Sequence, residues 1–265
     1  MCAFKIMAQK SLLDCVVVAN TPLSNTCFQL QLRPVSGTLP AILPGQFVEV
    51  RVDHTPTVIL RRPISVFDVD FSTQTLSLLI QKVGDGTIAL SELSEGAVVN
   101  LLLPLGNGFS TPEKPNSRLL LVGGGVGVAP LLYLGRQLRD SGHEVNFLLG
   151  FRSVREMIDL SAYRSIGNVY VTTEDGSEGE TGFVTNHSIL KQKADHLYVC
   201  GPSPMMKAVA AYAVKAGVSC EVSLENKMAC GLGACLCCVT DTKEGHKCVC
   251  TEGPVFNINQ LKWQI

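Results

Sequence analysis

Residues 228–256, "MACGLGACLCCVTDTKEGHKCVCTEGPVF", hold six of the chain's eleven cysteines. Cys230, Cys235 and Cys238 are spaced C-x4-C-x2-C, and a fourth thiol must come from Cys248 or Cys250. The first two intervals are those of plant-type [2Fe–2S] sites. Such a site needs a looped backbone that brings thiolates around a small anionic cluster while its amides donate to the sulfurs. Gly231 and Gly233 let the chain pass close without side-chain collision. A structural zinc site with four cysteine ligands is the alternative, since these also use CxxC pairs. Zinc sites normally use two short knuckles set well apart, whereas here nine residues supply three thiols, which favours the cluster. Cys237, adjacent to Cys238, points the opposite way in an extended loop and reads as a bystander. Cys2, Cys15, Cys27 and Cys220 sit in apolar segments and read as small buried hydrophobes.

Two further stretches carry nucleotide chemistry. Gly123-Gly124-Gly125-Val126-Gly127-Val128-Ala129-Pro130 follows an apolar strand and opens a helix. Its glycines would admit a pyrophosphate to backbone amides at a helix N-terminus; a tight turn with no ligand is the plainer reading. "YVCGPSPMM" places Cys200, Gly201 and Pro202 at the same edge of the sheet. In the first third of the chain, "ILRRPISV" sets Arg61 and Arg62 in a strand pattern, and such a pair needs an anionic or solvated destination. Arg62 can fork onto a phosphate and Ser65 can donate a hydroxyl. "KVGDGT", residues 82–87, offers amides and a hydroxyl at the start of a short helix. A solvated barrel edge would account for these residues equally.

The elements that must position these groups fall into three regions. Residues 1–107 read as a β-barrel, with strands in "LDCVVVANTP", "NTCFQLQLRP", "GQFVEVRV", "PISVFDVD" and "TLSLLIQKV" and a helix confined to "GTIALSEL". The Gly/Pro/Ser/Asn-rich "PLGNGFSTPEKPNSR" closes this region. Residues 108–219 alternate apolar strands with helical segments, as a mostly parallel α/β sheet does. Ligands of such sheets bind outside the carboxyl ends of the strands, where both glycine motifs fall. Residues 220–265 form a cysteine-rich tail that is too short for an ordinary core and is expected to be organised around its metal.

The formal net charge is −1, so there is no basic surplus to neutralise phosphates, and neither nucleic acid nor an anionic membrane is expected as a partner. The N-terminal residues lack an uninterrupted apolar run, and no apolar stretch is long enough to span a bilayer. A reducing cytoplasm is the expected compartment, where dense cysteines favour metal or redox chemistry over disulfides. Histidines 54, 143, 187, 196 and 246 are scattered and read as solvent-facing or incidental.

The order Arg-Pro-x-Ser, Gly-x-Gly-Thr, glycine turn ending in Ala-Pro, then Cys-Gly-Pro resembles the ferredoxin reductase superfamily. With "SLENKMACGLGACLCCV" followed by "VCTEGPVF", the chain resembles more narrowly the electron-transfer subunits of the two-protein, NAD-dependent dihydroorotate dehydrogenases. The resemblance covers roughly residues 10–260. It implies a β-barrel and a nucleotide domain that hold FAD between them, and a tail that binds a [2Fe–2S] cluster. It places Arg62, Pro63, Ile64 and Ser65, with Leu79, Ile80, Gln81, Gly84, Gly86 and Thr87, at the flavin and its phosphates. It places Gly123, Gly124, Gly125, Gly127, Cys200, Gly201 and Pro202 at the NAD site. It makes Cys230, Cys235, Cys238 and Cys250 the cluster ligands, with Cys250 preferred to Cys248 because it immediately precedes "TEGPVF".

The resemblance further implies an FMN-containing catalytic subunit as partner, with two copies of each subunit, and a role in pyrimidine biosynthesis. It favours NADH over NADPH, although Arg152, Ser153 and Arg155 follow a strand end where they could accept a 2′-phosphate. Residues and resemblance agree on mechanism class: a flavin must stand between a two-electron hydride donor and a one-electron cluster. Competing readings are a reductase subunit serving ferredoxin or a sulfite/sulfide-type partner, and a non-catalytic, zinc-stabilised scaffold.

Overall fold

The structure, a computed structural model, describes residues 9–53 and 55–264; the readings placed on Cys2 and His54 lie outside the described residues. Strands β1 (Ser11–Pro22), β2 (Cys27–Pro34), β3 (Phe47–Val50), β4 (Arg62–Asp70) and β5 (Thr75–Gln81) match the five alternating segments. Helix α1 (Asp85–Ser91) follows, and β6 (Val98–Leu105) closes the barrel in the order β1-β2-β5-β4-β3-β6. Neighbouring strands are antiparallel throughout. Val48, Val50, Leu30, Leu32, Leu76, Leu78, Leu101 and Leu103 fill the interior. Each fully buried leucine contributes about 2 kcal/mol.

Strand β6 escapes the period-2 pattern because the outer face of its second half is covered as well. Leu101 and Leu103 face the barrel interior, while Leu102 and Leu105 pack against the rest of the chain. A strand buried on both sides reads as a plain apolar run. Alternation on β3 has the same meaning: Val48 and Val50 belong to the barrel core, and Phe47 joins a different one.

The second unit comprises β7 (Arg118–Gly124), α2 (Ala129–Asp140), β8 (Glu144–Phe151), the short α3 (Ser161–Arg164), β9 (Asn168–Thr173) and β10 (Glu180–Thr181). It continues through β11 (His196–Cys200), α4 (Ser203–Ala216) and β12 (Ser219–Ser223). The tail adds a hairpin, β13 (Val239–Thr242) with β14 (Gly245–Cys248), and a last strand, β15 (Val255–Asn257). The sheet order is β10-β9-β8-β7-β11-β12-β15, parallel except for β15 on β12. The order reverses between β7 and β11, which is the crevice such sheets use for ligands.

The tail, too short for a core of its own, borrows one. Cys238, Val249, Cys250, Phe256, Ile258 and Leu261 share a core with Leu197, Val199 and Val222 of the sheet and with Phe47 and Leu105 of the barrel. Asn107, just past β6, staples it further: its amide donates to the Gly253 carbonyl at 2.6 Å, and its Nδ2 donates to the Glu252 carbonyl at 2.9 Å.

The histidines also need correction. His246 is exposed, but His143 and His187 are buried, and their Nδ1 atoms accept the Ser117 and Ile189 amides at 3.2 and 2.9 Å. His196 is mostly covered by Tyr198 at a ring separation of 4.4 Å, and burial pulls it down from 6.5 to about 4. A histidine held neutral when folded but titrating normally when unfolded stabilises the fold above pH 6.5, and that contribution drains away as pH falls toward 4. His196→Gln is therefore expected to lose about 2–3 kcal/mol less stability than the parent between pH 7 and pH 4; Glu221, 4.0 Å from Nε2, limits the gain. Parallel denaturant melts at the two pH values check it.

Candidate functional site: a flavin wall, a nucleotide crevice and a thiol loop

Strand β4 opens on Arg62, and Pro63 and Ser65 stand opposite Glu49 and Phe47 of β3. Arg62, Pro63, Ile64 and Ser65 are all half-buried, as a surface reserved for a ligand would be. Arg61 has a different destination: its guanidinium donates to the Asn100 carbonyl at 3.0 Å and to Asn100 Oδ1 at 2.5 Å, bracing the barrel. Gly86 brings the second motif to the first, because a methyl group built on it would overlap the Arg62 Nε and stand 3.3 Å from Cγ and Cδ. Thr87 ties its own turn, with Oγ1 accepting the Val83 and Gly84 amides at 2.9 and 3.2 Å. At the end of β5, Ile80 is spent on the barrel core and Leu79 on the seam with the nucleotide unit, which leaves Gln81 as the half-buried side chain.

Gly86→Val must displace the Arg62 side chain. The expected result is a folded protein with at least tenfold weaker FAD retention, read as flavin fluorescence released on dilution.

At the crevice, Cys200 of β11 stands in register with Gly123 of β7. Gly127 presses on the neighbouring turn: a methyl there would fall 2.5 Å from the Cys200 carbonyl oxygen and 2.5 Å from Gly201 Cα. Gly124 is covered by Met205 and Pro202. Gly125 is the open member, at φ +54°, and a methyl group built on it would meet nothing within 4 Å. The Cys200 thiol is fully buried, and burial with nearby Glu225 holds it well above the ordinary thiol range, although a bond with Ser223 works against this. Arg152 and Arg155 are exposed beyond the end of β8, with Ser153 half-buried between them.

The thiol loop folds so that amides face sulfurs. The Leu232 amide donates to Cys230 Sγ at 3.4 Å, and the Cys250 amide to Cys238 Sγ at 3.4 Å. Hydrogen bonds from Leu232, and from Cys235 and Ala234 nearby, pull Cys230 down to about 6 against a smaller opposing effect of burial. Burial pushes Cys250 up, and the Gly233 amide opposes this. These donors are what thiolate ligands of an anionic cluster require. Cys238 and Cys250 are buried, Cys230 is half-buried and Cys235 is exposed, while Cys237 faces solvent as its alternation with Cys238 implies. Cys248 stands beside the loop, its Sγ 4.0 Å from the Gly233 carbonyl and its amide held by Glu252 at 2.9 Å. Among the described residues, no three His, Cys, Asp or Glu side chains gather closely enough to hold a single metal ion. Asn226 pins the loop from below by donating to the Cys238 carbonyl at 3.3 Å.

Residues 225–262 match the iron–sulfur cluster binding domain of dihydroorotate dehydrogenase B, and residues 121–211 match the oxidoreductase NAD-binding domain. The first match takes in all six cysteines of residues 228–256 and the second takes in both glycine motifs. The dihydroorotate dehydrogenase B (NAD(+)) electron transfer subunit of Shouchella clausii is 41% identical over 227 residues, covering 82% of this chain and 86% of the relative. The chain belongs to the family of dihydroorotate dehydrogenase B electron transfer subunits. A second subunit of that name, from a Geobacillus species, is 38% identical and matches over 92% of this chain and 96% of its own length. Among solved structures, an NADH-dependent reduced ferredoxin–NADP oxidoreductase is 29% identical with a TM-score of 0.84, over 94% of this chain and 90% of its own. An Amycolatopsis cytochrome P450 reductase, 22% identical with a TM-score of 0.71 over 80% of this chain and 68% of its own, shares the fold.

Two acidic residues of the site escape a reading of the sequence. Glu225 lies two residues beyond β12, where an acid at a sheet's carboxyl edge is a usable signal. Glu49 sits in a strand whose alternation makes it look solvent-facing. It is 1% exposed, and burial pushes its carboxyl up to about 7 despite Arg61.

Proposed function

We propose that this chain carries electrons between an FMN-containing dihydroorotate dehydrogenase catalytic subunit and NAD⁺, through a [2Fe–2S] cluster and FAD, in pyrimidine biosynthesis. The observation that carries the reading is the seating of the thiol loop on the flavin wall. A methyl group on Gly231 would stand 3.0 Å from Glu49 Cγ and 3.1 Å from Leu105 Cδ1, so the loop rests against the strand paired with Arg62-Pro63-Ile64-Ser65. FAD, when bound, exchanges electron pairs with NAD and single electrons with the cluster.

The chain's own residues bind and orient. Arg62 supplies a guanidinium for the flavin phosphates, and Ser65 a hydroxyl at the flavin ring. The main chain of Leu79 and Ile80, with Gln81, lines the flavin's edge, and Gly84, Gly86 and Thr87 form the turn that keeps Arg62 in place. Gly123, Gly124, Gly125 and Gly127 shape the pyrophosphate turn for NAD, with Cys200, Gly201 and Pro202 at the nicotinamide end. Cys230, Cys235, Cys238 and Cys250 hold the cluster, with Cys248 as a bystander.

The assembly pairs two copies of each subunit in the cytoplasm and uses NAD(H) in preference to NADP(H). A net charge of −1 gives no purchase on nucleic acid, and no helix among the described residues is long and apolar enough to cross a membrane. Anaerobically purified protein should contain one FAD, two iron and two labile sulfides per chain. Zinc in place of iron would overturn the reading.

A further inference from the structure

One buried group is out of keeping with its surroundings. Neither carboxyl oxygen of Glu49 has a hydrogen-bond partner among the described residues, although the side chain is almost wholly enclosed. The neighbouring Arg61 turns its Nη1 to the Glu49 main-chain carbonyl, at 3.3 Å, and to the Asn100 carbonyl, at 3.0 Å, and its Nη2 to Asn100 Oδ1. An enclosed carboxyl with no partner costs several kcal/mol, and an amide or apolar side chain of similar volume would cost the fold less. A residue kept against stability points to a role in function.

Its position says which role. On one side Glu49 is opposite Pro63, inside the flavin-binding strand. On the other, the Gly231 turn lies directly on it, with a would-be methyl 3.4 Å from Oε1. Cys230 and Arg62 both lie within electrostatic range of the carboxyl. It therefore stands between the flavin wall and the first cluster thiol.

We propose that Glu49 is a positioning residue of electron transfer, whose carboxylate, wedged between the flavin strand and the Cys230–Gly231 turn, sets the potential of the cluster relative to the flavin. This rests on the reading of the chain as a flavin and iron–sulfur subunit. In the step concerned, one electron moves between flavin and cluster, one group being oxidised and the other reduced, and no bond forms or breaks. Reduction adds a negative charge to the cluster, and the enclosed group alongside, ionised above about pH 7, opposes it with little screening; midpoints are therefore compared at pH 8. Arg62, on the neighbouring strand β4 that this reading gives to the flavin, offsets part of the same charge there.

The test uses holoprotein carrying Glu49→Gln, which keeps the volume and removes the charge, and Glu49→Asp, which keeps the charge and moves it. FAD, iron and sulfide are assayed first. The cluster midpoint is then followed by EPR-monitored redox titration, and the flavin midpoint by absorbance. Glu49→Gln should retain its cofactors, melt no lower than the parent, and show a higher cluster midpoint, with a smaller change at the flavin. An unchanged or lowered cluster midpoint would overturn the proposal. If Glu49→Gln loses its cluster, Glu49→Asp decides: a shifted midpoint supports the proposal, and an unchanged one, or loss of its cluster too, overturns it. Parent protein devoid of iron or FAD would instead overturn the reading beneath it, so the two failures are told apart.

Discussion

Cys238→Ser is expected to abolish the iron–sulfur signal, with iron and sulfide falling to background, while Cys237→Ser keeps the parent spectrum. The two thiols are adjacent, yet Cys238 is 2% exposed and accepts the Cys250 amide, whereas Cys237 is exposed. Only one of them can turn inward, since neighbouring side chains of an extended loop diverge. The same pairing separates Cys250, enclosed with Cys238, from Cys248 on the loop's flank: Cys250→Ser should lose the cluster and Cys248→Ser keep it. EPR of dithionite-reduced protein and iron assay read both comparisons. A cluster that survives in Cys238→Ser and vanishes in Cys237→Ser would reverse the ligand assignment.

Gly127→Ala is expected to prevent the nucleotide unit from folding. Its methyl would collide with backbone atoms of Cys200 and Gly201 at 2.5 Å, and backbone cannot swing aside as a flexible side chain can. Relieving the overlap means parting the turn after β7 from the end of β11, at a cost of about 4 kcal/mol or more, a large share of a domain's stability. Gly125→Ala is the contrasting case. The position is open but at φ +54°, so alanine costs about 1 kcal/mol of backbone strain and leaves a folded protein. Its methyl then occupies the mouth of the turn, and NADH should bind at least tenfold more weakly with FAD retained. Soluble yield and circular dichroism report the first variant, and NADH titration of the bound flavin's absorbance reports the second. Equal behaviour of the two glycines would contradict the division between them.

Much of this arrangement is legible in the residue pattern, for a physical reason: it is local. The half-buried strand β2 alternates, so "NTCFQLQLRP" announces itself, and Gly123–Pro130 states its strand–turn–helix in eight consecutive residues. What stays hidden depends on contacts between distant segments. Strand β6 loses its alternation because the tail covers its outer face. The tail looks too short for a core because its core is borrowed from Phe47, Leu105 and the sheet. Glu49 passes for a surface residue until the Gly231 turn closes over it. Motif order implies the placing of Arg62 beside Gly86, but not that Arg61, its neighbour, is committed to Asn100.

The most direct measurement is made on the native complex. The chain is purified with its partner, the flavins and metals are identified, and dihydroorotate-dependent reduction of NAD⁺ is followed at the nicotinamide absorbance. A stable assembly carrying FMN, FAD and [2Fe–2S] that reduces NAD⁺ with dihydroorotate, and loses that coupling when this chain is omitted or carries Cys238→Ser, is the result expected. Coupled turnover by this chain alone, or a native partner that holds no flavin and oxidises a different substrate, would contradict the account.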